Sequence, residues 1–207
     1  MKAALGVLAL AFGAGACVVG ITSFLLGLRR NNDALLAVGR KCVAVLLVCA
    51  VAAVGIMEWA LISHDFTIRY VAENNARSTP LLFTITGLWS ALAGSILLWV
   101  LILSGYIGVT VRHFRKRASE PLVIWATIVM LGVALFFFLL VLGPANPFRL
   151  VAGGAPLDGR GPNPLLQNHP LMAFHPPMLY LGYVGFTVPF AFAMSSLING
   201  SMGEGWL

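Results

Sequence analysis

Apolar residues form five long runs along the chain, and short polar stretches separate them. A helix needs about 20 predominantly apolar residues to cross a bilayer, and each run is long enough. The runs cover residues 3–28, 38–62, 87–111, 122–142 and 177–198. This pattern predicts an all-α integral membrane bundle of about five transmembrane helices, folded as a single multi-span domain over residues 1–207.

Small residues recur along the first apolar run at seven-residue spacing. The glycines are Gly6, Gly13, Gly20 and Gly27. Because residues seven apart lie on the same face of a helix, this spacing predicts a smooth strip that lets a neighbouring helix approach closely.

The composition excludes a soluble domain. Hydrophobic residues make up 59% of the 207 residues and charged residues only 10%, whereas a soluble domain carries about a quarter charged residues. The net charge of +6 does not indicate a nucleic-acid partner, because the basic residues lie in short blocks between apolar runs. The three cysteines lie within apolar runs and form no C-x-x-C-H haem-attachment motif.

The basic blocks predict the orientation of the bundle, since loops rich in Lys and Arg stay in the cytoplasm. Eight basic residues lie in the first loop, in the residues just after it and in the third loop: Arg29, Arg30, Arg40, Lys41, Arg112, Arg115, Lys116 and Arg117. The N-terminus is therefore expected outside and the C-terminus in the cytoplasm, with the second and fourth loops outside. Lys2 opposes this assignment, but it is one residue against eight.

The longest predicted outer loop covers residues 143–175. Its many Pro, Gly and Asn residues favour irregular backbone, yet it also contains large apolar side chains such as Phe148 and Phe174. A disordered linker would lack them. We therefore expect an ordered loop, packed on the helix ends and held by side-chain amides of Asn163, Gln167 and Asn168.

The sequence N-H-P-L-M-A-F-H-P-P-M-L-Y at the end of this loop holds the strongest candidate site. Pro176 and Pro177 suit the first turn of a helix, so His175 is predicted just outside the N-terminus of the fifth span. The positive end of the helix dipole favours neutral imidazole there, and neutral imidazole binds metals. A flat apolar ligand with a central metal and acidic groups, namely haem, would fit beside Tyr180 and Tyr183, with Arg149 and Arg160 available to its propionates.

Other interpretations of these residues remain open. A histidine before proline at a helix start is often only a cap or an interfacial anchor, and the aromatic residues of the fifth span are often a membrane-interface belt. His169 is a weaker ligand candidate than His175. Glu58 lies inside the second apolar run and is a functional candidate as an intramembrane carboxylate, although it lies close enough to the loop to reach water.

Several blocks of the chain resemble the N-terminal part of the CcmF/NrfE family, the large subunit of the cytochrome c haem lyase. The blocks are DFTIRYVAENNARSTPLLFTITGLWSALAGSILLWVLILSGY, NPFRL, LDGRGPNPLLQ and AFHPPMLYLGYVGFTVPFAFAMSSLI. Their order and spacing also agree, and the resemblance covers essentially the whole chain. The last two blocks are the most specific, because N-P-L-L-Q followed closely by H-P-P-M-L-Y-L-G-Y is not a general membrane pattern.

The resemblance implies a role in bacterial cytochrome c maturation at the plasma membrane. Family members take haem from a periplasmic chaperone and deliver it to the cysteine thiols of apocytochrome c. They present haem outside, between two periplasmic histidines beside a tryptophan-rich WWD domain, and hold a second haem lower in the bundle. The match implies that His175 is the first periplasmic axial ligand of a non-covalent b-type haem.

The chain departs from the family pattern at two places. It ends at Leu207, before the WWD domain and the other haem-ligating histidines, so we expect a fragment of the pattern whose haem site is shared with a partner chain or with the rest of the subunit. Where many members have a His-Glu pair, this chain has Ala91-Leu92-Ala93-Gly94-Ser95. No self-contained catalytic site is expected, and the alternative functions are a structural scaffold without haem contact or, less favoured, a component of a small-solute transporter.

Overall fold

The computed structural model describes residues 1–164 and 169–200. Eight α-helices run through these residues: α1 (Lys2–Arg30), α2 (Asp33–Ile62), α3 (Arg69–Asn74), α4 (Leu81–Thr86), α5 (Leu92–His113), α6 (Pro121–Leu142), α7 (Pro170–Gly185) and α8 (Thr187–Asn199). Five helical segments are long and apolar enough to cross a membrane, with α7 and α8 forming the fifth. The predicted all-α bundle of five spans is confirmed, and the chain is an integral membrane protein.

A tight turn joins α1 to α2 and sets them antiparallel. Asn31 ends α1 in the left-handed conformation at φ 46°, which asparagine tolerates better than most residues. The Asn32 side chain then accepts hydrogen bonds from the backbone N–H groups of Ala34 (3.0 Å) and Leu35 (3.2 Å). This is an N-cap for α2, so two consecutive asparagines end one helix and begin the next.

The glycine strip of α1 lies against large side chains, as predicted. Gly6 faces Phe148, Gly13 faces Phe138, Gly20 faces Leu131 and Cys42, and Gly27 faces Leu36. All four glycines are buried. In three of these places a Cβ atom would overlap the facing side chain unless that side chain moved, so the strip sets how closely α1 approaches α2, α6 and the outer loop.

We expect Gly13→Ala and Gly15→Ala to have opposite effects on stability. A methyl group at Gly13 would collide with the fully buried Phe138 ring, and such overpacking costs about 1–3 kcal/mol. Gly15 has open space around it, so alanine there should add about 0.5–1 kcal/mol of helix stability. Thermal unfolding of both variants in the same detergent checks this; equal shifts in Tm would contradict the packing described for the strip.

The third span begins later than predicted, at Leu92 instead of residue 87. Residues Gly87–Trp89 form a 3₁₀ turn instead. The Tyr70 hydroxyl lies 2.9 Å from the Gly87 carbonyl oxygen and 2.8 Å from that of Leu88. These contacts hold the segment out of the helix, and they come from a residue far away in the sequence, which an apolar run cannot reveal.

The fifth span also differs from the prediction, because it begins at Pro170 instead of residue 177 and is interrupted at Phe186. The earlier start uses His169-Pro170, which offers the same proline start signal as His175-Pro176. The interruption has a local cause: Pro189 has no N–H group to donate to the carbonyl of Gly185, four residues before it. The loop between α6 and α7 thus ends at His169, not at residue 175.

The described part of the loop between α6 and α7 lies on the loop between α2 and α5. Ile68 and Leu150 form an isolated antiparallel bridge, and the backbone N–H of Arg160 donates to the Ala72 carbonyl at 2.8 Å. Asp158 accepts a hydrogen bond from the Arg77 backbone N–H at 2.9 Å, which holds the pKa of Asp158 below its usual range. This contact therefore persists above the ordinary pKa of aspartate and weakens only as the pH falls through the lowered value.

Candidate functional site

His169 begins α7 and is occupied as a helix cap. Its Nδ1 atom accepts a hydrogen bond from the Leu171 backbone N–H at 3.2 Å, and Pro170 fills the first helical position. An Nδ1 that accepts this bond leaves the proton of a neutral ring on Nε2. In this arrangement neither ring nitrogen offers a free lone pair to a metal, so the geometry assigns His169 a capping role.

His175 lies inside α7, which corrects its predicted position outside the helix end. Pro176 and Pro177 follow it within the helix, so the positive helix terminus is at His169, not at His175. The His175 side chain is exposed. Among residues 1–164 and 169–200, no group hydrogen-bonds to its ring, so this imidazole, unlike that of His169, is available to a ligand.

The two prolines interrupt the hydrogen bonding of α7. An α-helix pairs each N–H with the carbonyl four residues earlier, so Pro176 leaves the carbonyl of Met172 without its usual donor. The indole N–H of Trp89 donates to that carbonyl at 2.8 Å. Trp89 therefore replaces the hydrogen bond that Pro176 cannot donate. This contact links the helical turn before His175 to the segment that precedes α5.

An exposed apolar face extends along α7 from His175 toward the middle of the span. It comprises His175, Met178, Leu179, Gly182, Tyr183 and Phe186, which are all exposed. A Cβ atom at Gly182 would meet no atom within 4 Å. Gly182 lies seven residues from His175, about 10 Å along the helix at 1.5 Å per residue, so a smooth surface bounded by aromatic rings lies below the imidazole.

The two candidate tyrosines have different surroundings. Tyr180 points toward α5: its hydroxyl donates to Ser95 Oγ at 3.1 Å, and its ring packs edge-on against Trp99 with centroids 5.6 Å apart. Tyr183 is 64% exposed on the same side as His175. Tyr180 therefore anchors α7 to the bundle, whereas Tyr183 borders the exposed face.

The two candidate arginines lie over α3. Arg149 donates to the Gly143 carbonyl at 2.7 Å and lines a cavity of about 590 Å³ together with Arg69 and Glu73. Arg160 lines two neighbouring pockets beside the same glutamate. Within the described residues neither guanidinium hydrogen-bonds to His175, so the structure does not join the arginines to the imidazole in one site.

The remaining polar candidates are Glu58, Gln167 and Asn168. The Oε2 atom of Glu58 is buried and, among the described residues, has no hydrogen-bond partner. Glu58 therefore remains a functional candidate, because a buried polar atom without a hydrogen-bond partner is unusual. Gln167 and Asn168, predicted to bond the loop backbone, lie outside the described residues. In the described part of the chain, no group of three or more His, Cys, Asp or Glu side chains could hold a metal ion.

Comparisons with known proteins identify similar sequences over the whole chain. Residues 89–202 match the model of the family described as "Cytochrome C assembly protein". The chain is 38% identical to "Cytochrome c-type biogenesis protein CcmF" of Escherichia coli (strain K12) over 176 residues, covering 85% of this chain and 27% of that protein. It is 37% identical to "Cytochrome c-type biogenesis protein CycK" of Bradyrhizobium diazoefficiens over 206 residues, covering 100% of this chain and 31% of that protein.

The fold also matches a solved structure, "Cytochrome c Heme Lyase CcmF". The TM-score is 0.82 at 31% sequence identity, and the match covers 100% of this chain and 32% of that one. The chain thus spans about a quarter to a third of the length of these relatives.

Proposed function

Because the chain belongs to the cytochrome C assembly protein family, we propose that it acts in cytochrome c maturation as a haem-handling subunit. It would help to hold haem at the outer face of the bacterial plasma membrane for ligation to apocytochrome c. The family supports the maturation role, since its relatives are named as cytochrome c-type biogenesis proteins. The haem contact rests on this chain's own residues.

The observation that carries the proposal is the state of His175. Its ring is exposed and lacks a hydrogen-bond partner among the described residues. It lies at the N-terminal end of the exposed apolar face of α7. An imidazole with a free nitrogen beside smooth apolar surface fits the needs of a porphyrin, which combines an iron that accepts imidazole with a broad hydrophobic ring. The residues present therefore fit one side of a haem site.

His175 would ligate the iron of a non-covalent b-type haem, and Tyr183 would border the ring. Arg149 and Arg160 lie over α3 and are proposed only as groups that attract the propionates. Haem would supply the vinyl groups to which apocytochrome thiols add, while this chain would contribute iron ligation and orientation. A haem lyase subunit of this kind needs no nucleophile of its own.

The second axial ligand would come from outside these residues. His169 is occupied as a cap, so a partner chain or the remainder of a longer subunit, bearing the WWD domain, would supply it. The exposed face of α7 supports this arrangement, because a membrane helix beside haem needs another surface to enclose the ring. The haem chaperone and apocytochrome c are the further partners implied.

The proposal requires the His175 end of the bundle to face outward. Lys2, the basic residue that opposed this orientation, lies 3.3 Å from Asp65. Burial tends to raise the pKa of Asp65, but hydrogen bonds from Thr67 and Lys2 lower it overall. The carboxylate is therefore ionised at neutral pH, and it offsets the charge of Lys2 at that end of the bundle.

We expect an impermeant thiol reagent to label Leu157→Cys but not Ser119→Cys in intact spheroplasts that lack the native cysteines. Leu157 is 95% exposed in the outer loop, and Ser119 is exposed beside the basic block of the third loop. Both positions should be labelled after the membranes are made permeable. Labelling of Ser119→Cys alone in intact spheroplasts would reverse the topology and rule out an outward haem site.

A structural scaffold is the second candidate function. Five exposed side chains and the exposed Gly182 along this face of α7 would also suit direct packing of a partner helix without haem. The two functions differ in one measurable respect: haem bound by the assembled complex depends on His175 only if the imidazole ligates iron. Haem content with and without His175 is therefore the test of the proposed function.

A further inference from the structure

A basic pocket lies at the end of the bundle opposite His175, where α2 and α6 begin. It has a volume of about 480 Å³, and the charged residues that line it are Arg40, Arg115, Lys116, Arg117 and Glu120. Arg117 and Glu120 pair with each other, with Nε and Oε1 2.7 Å apart. Three further cations, Arg40, Arg115 and Lys116, line the pocket, and among the described residues none of them forms a salt bridge with a carboxylate.

One nitrogen of the Arg40 guanidinium has no hydrogen-bond partner among the described residues. This atom, Nη1, is buried. Arg40 is half-buried, and a buried hydrogen-bond donor without an acceptor is unfavourable. An acceptor in the pocket would satisfy this nitrogen, and the charge and planar shape of the guanidinium suit the oxygens of a phosphate group.

An apolar groove continues from this pocket into the membrane-spanning region. It has a volume of about 320 Å³ and is lined by Phe114, Arg117, Leu122, Val123, Val188, Pro189 and Phe192. Arg117 belongs to both the pocket and the groove. The rings of Phe114 and Phe192 pack together with their centroids 5.1 Å apart, so one wall of the groove is aromatic.

We propose that the basic pocket and the apolar groove together bind one anionic phospholipid. Its phosphate would lie between Arg40, Arg115 and Lys116, and one acyl chain would lie along Phe114 and Phe192. The basic pocket and the apolar groove adjoin each other, which favours a lipid over a soluble phosphate. A soluble phosphate would have no acyl chain to fill the groove. Basic pockets between membrane helices commonly hold lipid headgroups in this way.

The test titrates the purified protein in detergent with phosphatidylglycerol or phosphatidylcholine and counts bound lipids by native mass spectrometry. We expect phosphatidylglycerol to bind at least about fivefold more tightly than the zwitterionic lipid. Arg40→Gln should weaken phosphatidylglycerol binding by about fivefold or more. Lys41→Gln is the matched control, because it removes the same charge from an exposed neighbouring residue that does not line the pocket, and its binding should stay within about twofold.

Two further arms keep the outcome decisive. Arg115→Gln removes a charge of the pocket from an exposed 3₁₀ turn, where the substitution should not disturb folding. It should also weaken phosphatidylglycerol binding, so the proposal can be tested even if Arg40→Gln misfolds. Glycerol phosphate, which has the headgroup but no acyl chain, should not displace the lipid at equal concentration. Equal losses in Arg40→Gln and Lys41→Gln, or equal binding of the two lipids, would show a general charge effect and overturn the proposal; displacement by glycerol phosphate would overturn the role of the groove.

Discussion

His175→Ala should abolish haem ligation from this chain and stop cytochrome c maturation while the protein remains inserted at its normal level. The imidazole is exposed and makes no hydrogen bond among the described residues, so its removal should cost little folding energy. The loss of an iron ligand should instead change the absorption spectrum of the purified complex and lower its haem content. His175→Cys should regain haem with an altered spectrum, because thiolate is also an iron ligand.

His169→Asn is the matched control for this experiment. It removes the other imidazole of the same short stretch but keeps a side chain that caps helices well, so α7 should still begin at Pro170. Haem content and spectrum should remain those of the unsubstituted complex. Loss of haem in His169→Asn with full retention in His175→Ala would show that the wrong histidine was chosen. An unchanged spectrum in both variants would favour the scaffold function.

The sequence predicted the parts of the fold that depend on periodicity. Five apolar runs gave five spans, and seven-residue glycine spacing gave the close contacts of α1, because both signals lie within single helices. Prediction failed where contacts between distant segments decide the structure. The start of α5 depends on the Tyr70 hydroxyl, and no local pattern near residue 87 shows that contact.

The same distinction between local patterns and contacts between distant segments applies to the candidate site. The H-P-P pattern was the basis for choosing His175, which is exposed on the fifth span but lies inside α7 and not outside its end. The same stretch contains two His-Pro pairs, however, and local rules for helix starts fit both of them equally. The two pairs differ in their contacts: His169 caps the start of the helix, and the carbonyl four residues before Pro176, that of Met172, receives its donor from Trp89, 83 positions away in the sequence. One signal could have revealed this donor, since a proline inside an apolar helix requires another group to pair with the carbonyl four residues before it.

Trp89 should therefore act as a positioning residue for His175, and Trp89→Phe should separate its hydrogen bond from its ring. The substitution keeps an aromatic ring but leaves the buried Met172 carbonyl without a donor, which costs about 1–3 kcal/mol. We expect a lower Tm and reduced haem occupancy, with the spectrum of the remaining bound haem unchanged because the iron ligand is still present. His175→Ala, by contrast, should change the spectrum and leave the Tm of the haem-free protein almost unaltered.

Pro176→Ala supplies the decisive background for that experiment, because alanine restores an N–H group four residues after Met172. In this background the Met172 carbonyl has a donor within its own helix, so Trp89→Phe should cost well under about 1 kcal/mol. Trp99→Phe is the control: Trp99 packs on Tyr180 and Phe137 but donates no hydrogen bond among the described residues, so its cost should be the same with Pro176 or with alanine. If Trp89→Phe is equally destabilising in both backgrounds, the indole serves by packing alone, and the link from Trp89 through Met172 to His175 is wrong.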